Sequence, residues 1–155
     1  MPHVPGLRSP YAKVGRLVYF GRMLDKIRLH AAGRLPLADY GANLGDQGDP
    51  TVFDARCCRF LGVRYADLAA QVHAGGSDEA VLAWAEAQGK PHTDEECEIW
   101  NMFMSKRGWR DAAASRVRMR VEQAGLGDKP VVTMFDFLDF DEGRDPAVDR
   151  PWEKI

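Results

Sequence analysis

No stretch of this chain is apolar for long enough to cross a bilayer. Its uninterrupted apolar runs last only a few residues, against the roughly 20 that a spanning helix needs. The opening MPHVPGLRSP has no apolar core of the kind a secretory leader carries. Cysteine is scarce: Cys57, Cys58 and Cys97 make an odd count without framework spacing, which excludes a disulfide scaffold and points to reduced thiols in the cytoplasm. His3, His30, His73 and His92 are scattered, with no HExxH pair and no Glu-x-x-His pattern, so neither a structural nor a catalytic metal is expected. There is no CxxC redox pair and no GxSxG elbow. Gly41, Gly45 and Gly48 fit neither phosphate-loop pattern. Internal repeats and low-complexity tracts are missing too, and no cofactor is expected.

What is present describes an ordinary soluble domain. The chain has 155 residues, 45% of them hydrophobic and 28% charged, enough for one sizeable core. We expect a single domain over 1–155, with an arm at 1–8 set by Pro2, Pro5 and Gly6, and a surface tail at 144–155. Net charge is −2 but unevenly spread: +6 over residues 1–34, −8 over 35–105, +4 over 106–130 and −4 over 131–155. Alternating blocks favour basic helices lying beside acidic ones, and argue against a dedicated nucleic-acid binder.

Residues 14–33 form the organising stretch. Leu17, Phe20, Met23, Leu24, Ile27 and Ala31 recur every three or four positions, one apolar helical stripe. Arg16, Arg22, Asp25, Lys26 and Arg28 fill much of the remainder. Ser9 and Pro10 suit the cap and first position of that helix. Gly15 and Gly21 then fall inside it, which implies a close crossing, or else a break near Gly15 before the main helix. Residues 35–49 read as a long Gly-rich connection. Asp39, Asn43, Asp46 and Asp49 offer oxygen donors there, but without the ligand alternation and closing Glu of a calcium loop.

Six further helices follow. One opens at Asp49-Pro50, buries Phe53, Cys57, Phe60 and Leu61, and stops at Gly62; the next covers 65–73 with Leu68, Ala69 and Val72 inward. Ser77 caps a helix over 78–88 with Val81, Leu82, Trp84 and Ala85 in the core. Thr93 and Glu96 form a capping box for a helix to about Lys106 carrying Ile99, Trp100, Phe103 and Met104. The spacing of Trp109, Ala113 and Val117 predicts a helix over 109–123. Residues 131–141 are ambiguous between an extended start and a short helix ended by Gly143; the helix is favoured. Asp136 and Asp139 share one of its faces, which reads as an acidic surface. The fold class is therefore all-α, a compact bundle of about six or seven helices.

Ser9-Pro10, Gly15 and Arg22-Met23-Leu24-Asp25-Lys26, followed by Phe60-Leu61-Gly62, the helix start at 77–84 and Phe135-Asp136-Phe137, resemble the domain of unknown function 5069 family through most of the chain. The resemblance implies a small, stand-alone bacterial domain and supplies no catalytic residues.

The remaining polar constellation is Arg22, Asp25 and Lys26, neighbours at i, i+3 and i+4 on one helix. It reads either as a grip on an anionic metabolite, with Asp25 orienting Arg22, or as structure, with Asp25 fixing the packing through a helix terminus or arginine. Arg107, Arg110, Arg116 and Arg120 could extend a basic patch, with Trp100 or Trp109 offering stacking. Three functions remain open: an accessory or binding domain with a protein partner, a small enzyme or anionic-metabolite binder around Arg22, Asp25 and Lys26, and a weak RNA surface from Arg107 to Arg120.

Overall fold

A computed structural model describes residues 3–155; Met1 and Pro2 of the expected arm lie outside the described residues. A hairpin of β1 (Lys13–Val14) and β2 (Leu17–Val18) precedes α1 (Phe20–Ala31), α2 (Leu37–Tyr40) and a 3-10 turn (Gly41–Asn43). Then come α3 (Phe53–Leu61), α4 (Tyr65–His73), α5 (Asp78–Gln88), α6 (Asp94–Lys106), α7 (Ala114–Gln123) and α8 (Met134–Asp141). The chain closes with α9 (Pro146–Asp149) and a second 3-10 turn (Pro151–Lys154). Apart from the two four-residue helices α2 and α9, the described helices are the expected all-α set. None is long and apolar enough to cross a membrane.

The first correction falls on the organising helix, which begins at Phe20 rather than in the region of Ser9 and Val14. Ser9 makes a turn instead, its Oγ accepting from the Tyr11 amide at 3.2 Å. β1 and β2 then pair antiparallel, Lys13 opposite Val18 and Val14 opposite Leu17, with Gly15 in the bend. Two side chains from α6 decide the matter. Asn101 accepts from the Val18 amide at 3.0 Å and donates to the Arg16 carbonyl at 2.7 Å, while Trp100 Nε1 donates to the Val18 carbonyl at 3.2 Å. An extended strand whose backbone groups find such partners no longer needs helical hydrogen bonds.

From Phe20 to Ile27 every residue of α1 is buried, charged ones included. Ala31 of the expected stripe is exposed. The crossing inferred at Gly21 is real: a Cβ there would meet the Arg8 guanidinium carbon at 2.8 Å. Leu17, Phe20, Met23, Leu24 and Ile27 join Cys57, Leu61, Leu68, Leu82, Trp100 and Phe135 in the main core. Cys57, Cys58 and Cys97 are buried free thiols. On the far side of α1, Val4 and Leu7 pack with Leu29, Leu35 and Tyr40 in a smaller cluster, so the described part of the arm is an integral layer.

Local signals held where they were strongest. α4 and α5 have the expected limits, Ser77 accepts from the Ala80 amide, and Thr93 with Glu96 forms the capping box of α6. Other expectations need correction. α3 starts at Phe53 because Asp49 folds back onto the Thr51 amide and hydroxyl, at 2.8 and 2.7 Å. α7 starts at Ala114 because Asp111 caps the turn before it, accepting from the Gly108 and Ala113 amides. Ile99 and Phe103 on α6 are exposed, and residues 35–49 contain two short helical segments instead of an unbroken Gly-rich loop. Asp136 and Asp139 are buried rather than a solvated acidic face. Asp136 closes the capping box of α8 with Thr133 and accepts from the Tyr11 hydroxyl at 2.7 Å. The short helix favoured for 131–141 is α8, starting at Met134, and residues 131–133 before it are neither strand nor helix. In the tail, Trp152 lies edge-on to Tyr11, ring centroids 6.2 Å apart.

Two substitutions test this packing. Leu24→Ala removes a fully buried side chain and should cost about 2–5 kcal/mol in denaturant unfolding. Gly89→Ala would set a Cβ 2.0 Å from the Leu61 carbonyl oxygen, a backbone clash that should cost about 2 kcal/mol or more.

Candidate functional site

The charged face of α1 is buried, and burial of charge is tolerated only with matched partners. Arg22 forks onto Glu142, at 2.8 Å from Nη1 and 2.5 Å from Nη2, and Nη1 also donates to the Arg8 carbonyl at 2.9 Å. Glu142 is saturated by two more donors, Tyr40 Oη at 2.9 Å and Arg144 Nη1 at 2.7 Å. Burial alone would raise the Glu142 pKa, but the hydrogen bonds and charge of Arg22, aided by Arg144 and Tyr40, hold it below the usual carboxylate value.

One turn along, Lys26 Nζ donates to Asp54 Oδ1 at 2.7 Å, Tyr19 Oη at 3.0 Å and the Asn43 carbonyl at 3.1 Å. Tyr19 donates to the same Asp54 oxygen at 2.7 Å, and the other accepts from the Gly45 amide at 2.9 Å. Burial pulls the Lys26 pKa down against the opposing pull of Asp54. Burial, then the Asp54 charge, pushes the Tyr19 phenol well up. Tyr19 sits at φ 71°, ψ −31°, a strained conformation for a bulky residue. That backbone twist turns β2 into α1 and sets the phenol between Lys26 and Asp54.

Asp25 belongs elsewhere. It accepts from Arg8 Nε at 2.8 Å, Nη2 at 2.9 Å and the Arg8 amide at 3.0 Å. Arg8 and Arg28 also both pair with Asp78 at the start of α5. Asp25 thus ties the arm to α1, Asp78 ties both to α5, and Glu142, not Asp25, orients Arg22.

Beside the two pairs opens a cleft of about 110 Å³. Tyr19, Arg22 and Lys26 line one side, Tyr40, Asn43 and residues 51–53 another, and Arg107, Ala113, Arg116, Arg120, Met134 and Leu138 the third. Five lining residues are cations and none is a carboxylate. Of the residues singled out from sequence, Arg22, Lys26, Arg107, Arg116 and Arg120 line this cleft, whereas Asp25, Trp100, Trp109 and Arg110 do not. Trp100 is core, stacked on Phe60 with centroids 4.6 Å apart. Trp109 is exposed beneath the Arg110 guanidinium. The sequence reading missed Tyr19, Tyr40, Asp54, Glu142 and Arg144 as partners, because nothing local distinguishes them from core aromatics, a helix-start acid or a charged tail. Among the described residues no group of three or more His, Cys, Asp or Glu side chains could hold a metal ion.

The family model described as Domain of unknown function (DUF5069) matches residues 4–144. The chain belongs to that family. No curated protein and no solved structure matches it. The matched segment contains every residue lining the cleft and reaches Arg144, the last member of the Glu142 network.

Two predictions follow from these networks. Asp25→Asn removes charge from a half-enclosed arginine clasp and should lower stability by about 1–3 kcal/mol, measured by urea unfolding, while leaving occupancy of the cleft unchanged. The second concerns Asp139, which accepts from Ser9 Oγ at 2.8 Å and Arg144 Nη1 at 3.2 Å. Burial outweighs those partners and pushes its pKa from 3.8 up to about 6. A folded-state pKa above the unfolded one means the folded protein binds the proton more tightly. This group therefore subtracts stability above pH 6 and ceases to do so as pH falls toward 4. Glu142, with a lowered pKa, works oppositely, its contribution lost only as pH falls below its unfolded value of 4.5. Asp139→Asn should flatten the stability profile between about pH 4 and 7; an unchanged slope in unfolding measured at pH 5 and 7.5 would contradict the assignment.

Proposed function

We propose that this domain binds a small anionic metabolite in the cleft between α1, α7 and α8. The observation that carries the reading is the lining itself, five cationic side chains with no carboxylate. The acids that balance Arg22 and Lys26 stand behind them, where they hold the cations in place without facing a ligand. Tyr19, Phe53, Val52, Met134 and Leu138 supply an apolar wall, the usual complement to a few placed polar groups. Converging positive charge of this kind, buried at Arg22 and Lys26, favours metabolite binding over an accessory module that works through a protein surface. The arginines assigned from sequence to an RNA surface divide: Arg107, Arg116 and Arg120 face the cleft and Arg110 stacks on Trp109. An interior of about 110 Å³ suits a compact molecule and not a polynucleotide. We place the domain in a bacterial cytoplasm, a reading supported by its family resemblance and three free thiols.

The chemistry proposed is binding. Lys26 spends all three ammonium hydrogens on protein acceptors and so acts as a fixed charge, not a nucleophile. Burial raises the pKa of every thiol, that of Cys58 to about 12, which leaves no reactive thiolate. A thermal-shift panel of small carboxylates and phosphates at constant ionic strength tests the proposal, since ligands of the native state raise its apparent stability. At least one class should raise Tm, and Ala113→Trp, which fills the cleft, should abolish the shift. No response to any anion would overturn the reading.

A further inference from the structure

Resting on the anion-binding reading, we propose that the ligand is a phosphorylated small molecule whose phosphoryl group sits on Arg107, Arg116 and Arg120. Arg116 and Arg120 stand four residues apart on α7, a like-charge spacing that disfavours the empty helix. Arg107, just beyond α6, faces the same cleft. Among the described contacts none of these three guanidiniums donates a side-chain hydrogen bond to the protein, although Arg107 also lies 5.9 Å from the Phe103 ring centroid. None of the described ion pairs includes Arg120, while Arg107 and Arg116 reach Asp111 and Asp49 only at 3.7 and 3.9 Å. Those two acids are committed to their own turns. Asp111 accepts from the Gly108 and Ala113 amides, and Asp49 from the Thr51 amide and hydroxyl.

A phosphomonoester matches this arrangement better than a carboxylate. It offers three terminal oxygens and a charge of about −1.5 to −2 to three planar forks, whereas a carboxylate offers two oxygens and a single charge. The rest of the molecule would lie against Phe53, Met134 and Leu138. Its far end would meet Arg22, which donates three hydrogen bonds to protein acceptors out of the five a guanidinium can make. A second hollow, over α4 and α5, offers no comparable site: its Arg64 is engaged by Asp67 at 2.9 Å.

The test compares inorganic phosphate and phenyl phosphate with acetate and benzoate, at equal ionic strength, by thermal shift and by phosphorus NMR line broadening for the phosphates. Phosphates should bind at least about tenfold more tightly, and Arg120→Gln and Arg116→Gln should each weaken them by roughly tenfold, the loss of one charge-assisted hydrogen bond. Arg64→Gln should change nothing. Arg116 is exposed, so its variant should fold normally, which its melting curve without ligand will show. Carboxylates binding as well as or better than phosphates would overturn this inference and leave the anion-binding proposal standing. No binding of either would overturn both. A single-stranded RNA oligomer that binds more tightly than phenyl phosphate would also overturn it, in favour of a nucleic-acid surface.

Discussion

The Arg22–Glu142 ion pair is the constraint on which the rest of the structure depends. Both side chains are almost fully buried, and breaking such a pair leaves one uncompensated charge, typically a loss of about 3–5 kcal/mol. The pair joins α1 to the end of α8 across 120 residues of sequence. Its outer bonds extend the tie. Arg22 holds the Arg8 carbonyl, Arg144 holds the Leu7 carbonyl as well as Glu142, and Tyr40 closes the ring from α2. The arm, the first helix and the last long helix are thereby set in one geometry, and the cleft is what lies beside them.

An apolar pair of similar volume would stabilise α1 at least as well. What it could not do is present a fixed, oriented cation to the cleft. Lys26 and Asp54 repeat the design one turn further along, with Tyr19 as the shared hydrogen-bond partner. In both pairs the acid lies behind and the base in front. Under the proposed anion binding, the charge of a cleft built this way would need little reorganisation to receive a ligand, the condition under which electrostatic recognition is strongest.

Which parts were legible from sequence follows from how local the physics is. Ser77, Thr93 with Glu96, and Gly62 act on backbone groups within a few residues, so the ends of α3 to α6 that they govern were readable. The starts of α1, α3 and α7 were not, since each depended on a less obvious competitor. Asn101 and Trp100 recruit the β2 backbone from about 80 residues away. Asp49 and Asp111 each prefer an immediate turn to the helix that spacing suggested. Arg22 and Lys26 stood out as charges on an otherwise buried helix, but their partners carried no mark.

The amino-acid order by itself determined the helical class, the caps at Ser77, Thr93 and Gly62, the apolar stripe through Leu24 and Ile27, and the separation of basic from acidic blocks. These rest on periodicity and on interactions spanning one or two turns. Only the tertiary structure decided that Arg22 meets Glu142, that Lys26 meets Asp54, and that Arg107, Arg116 and Arg120 close on the same cleft. Pairing over such separations depends on where whole helices come to rest. That position is set by the summed packing of the core, to which no single residue's local preference corresponds.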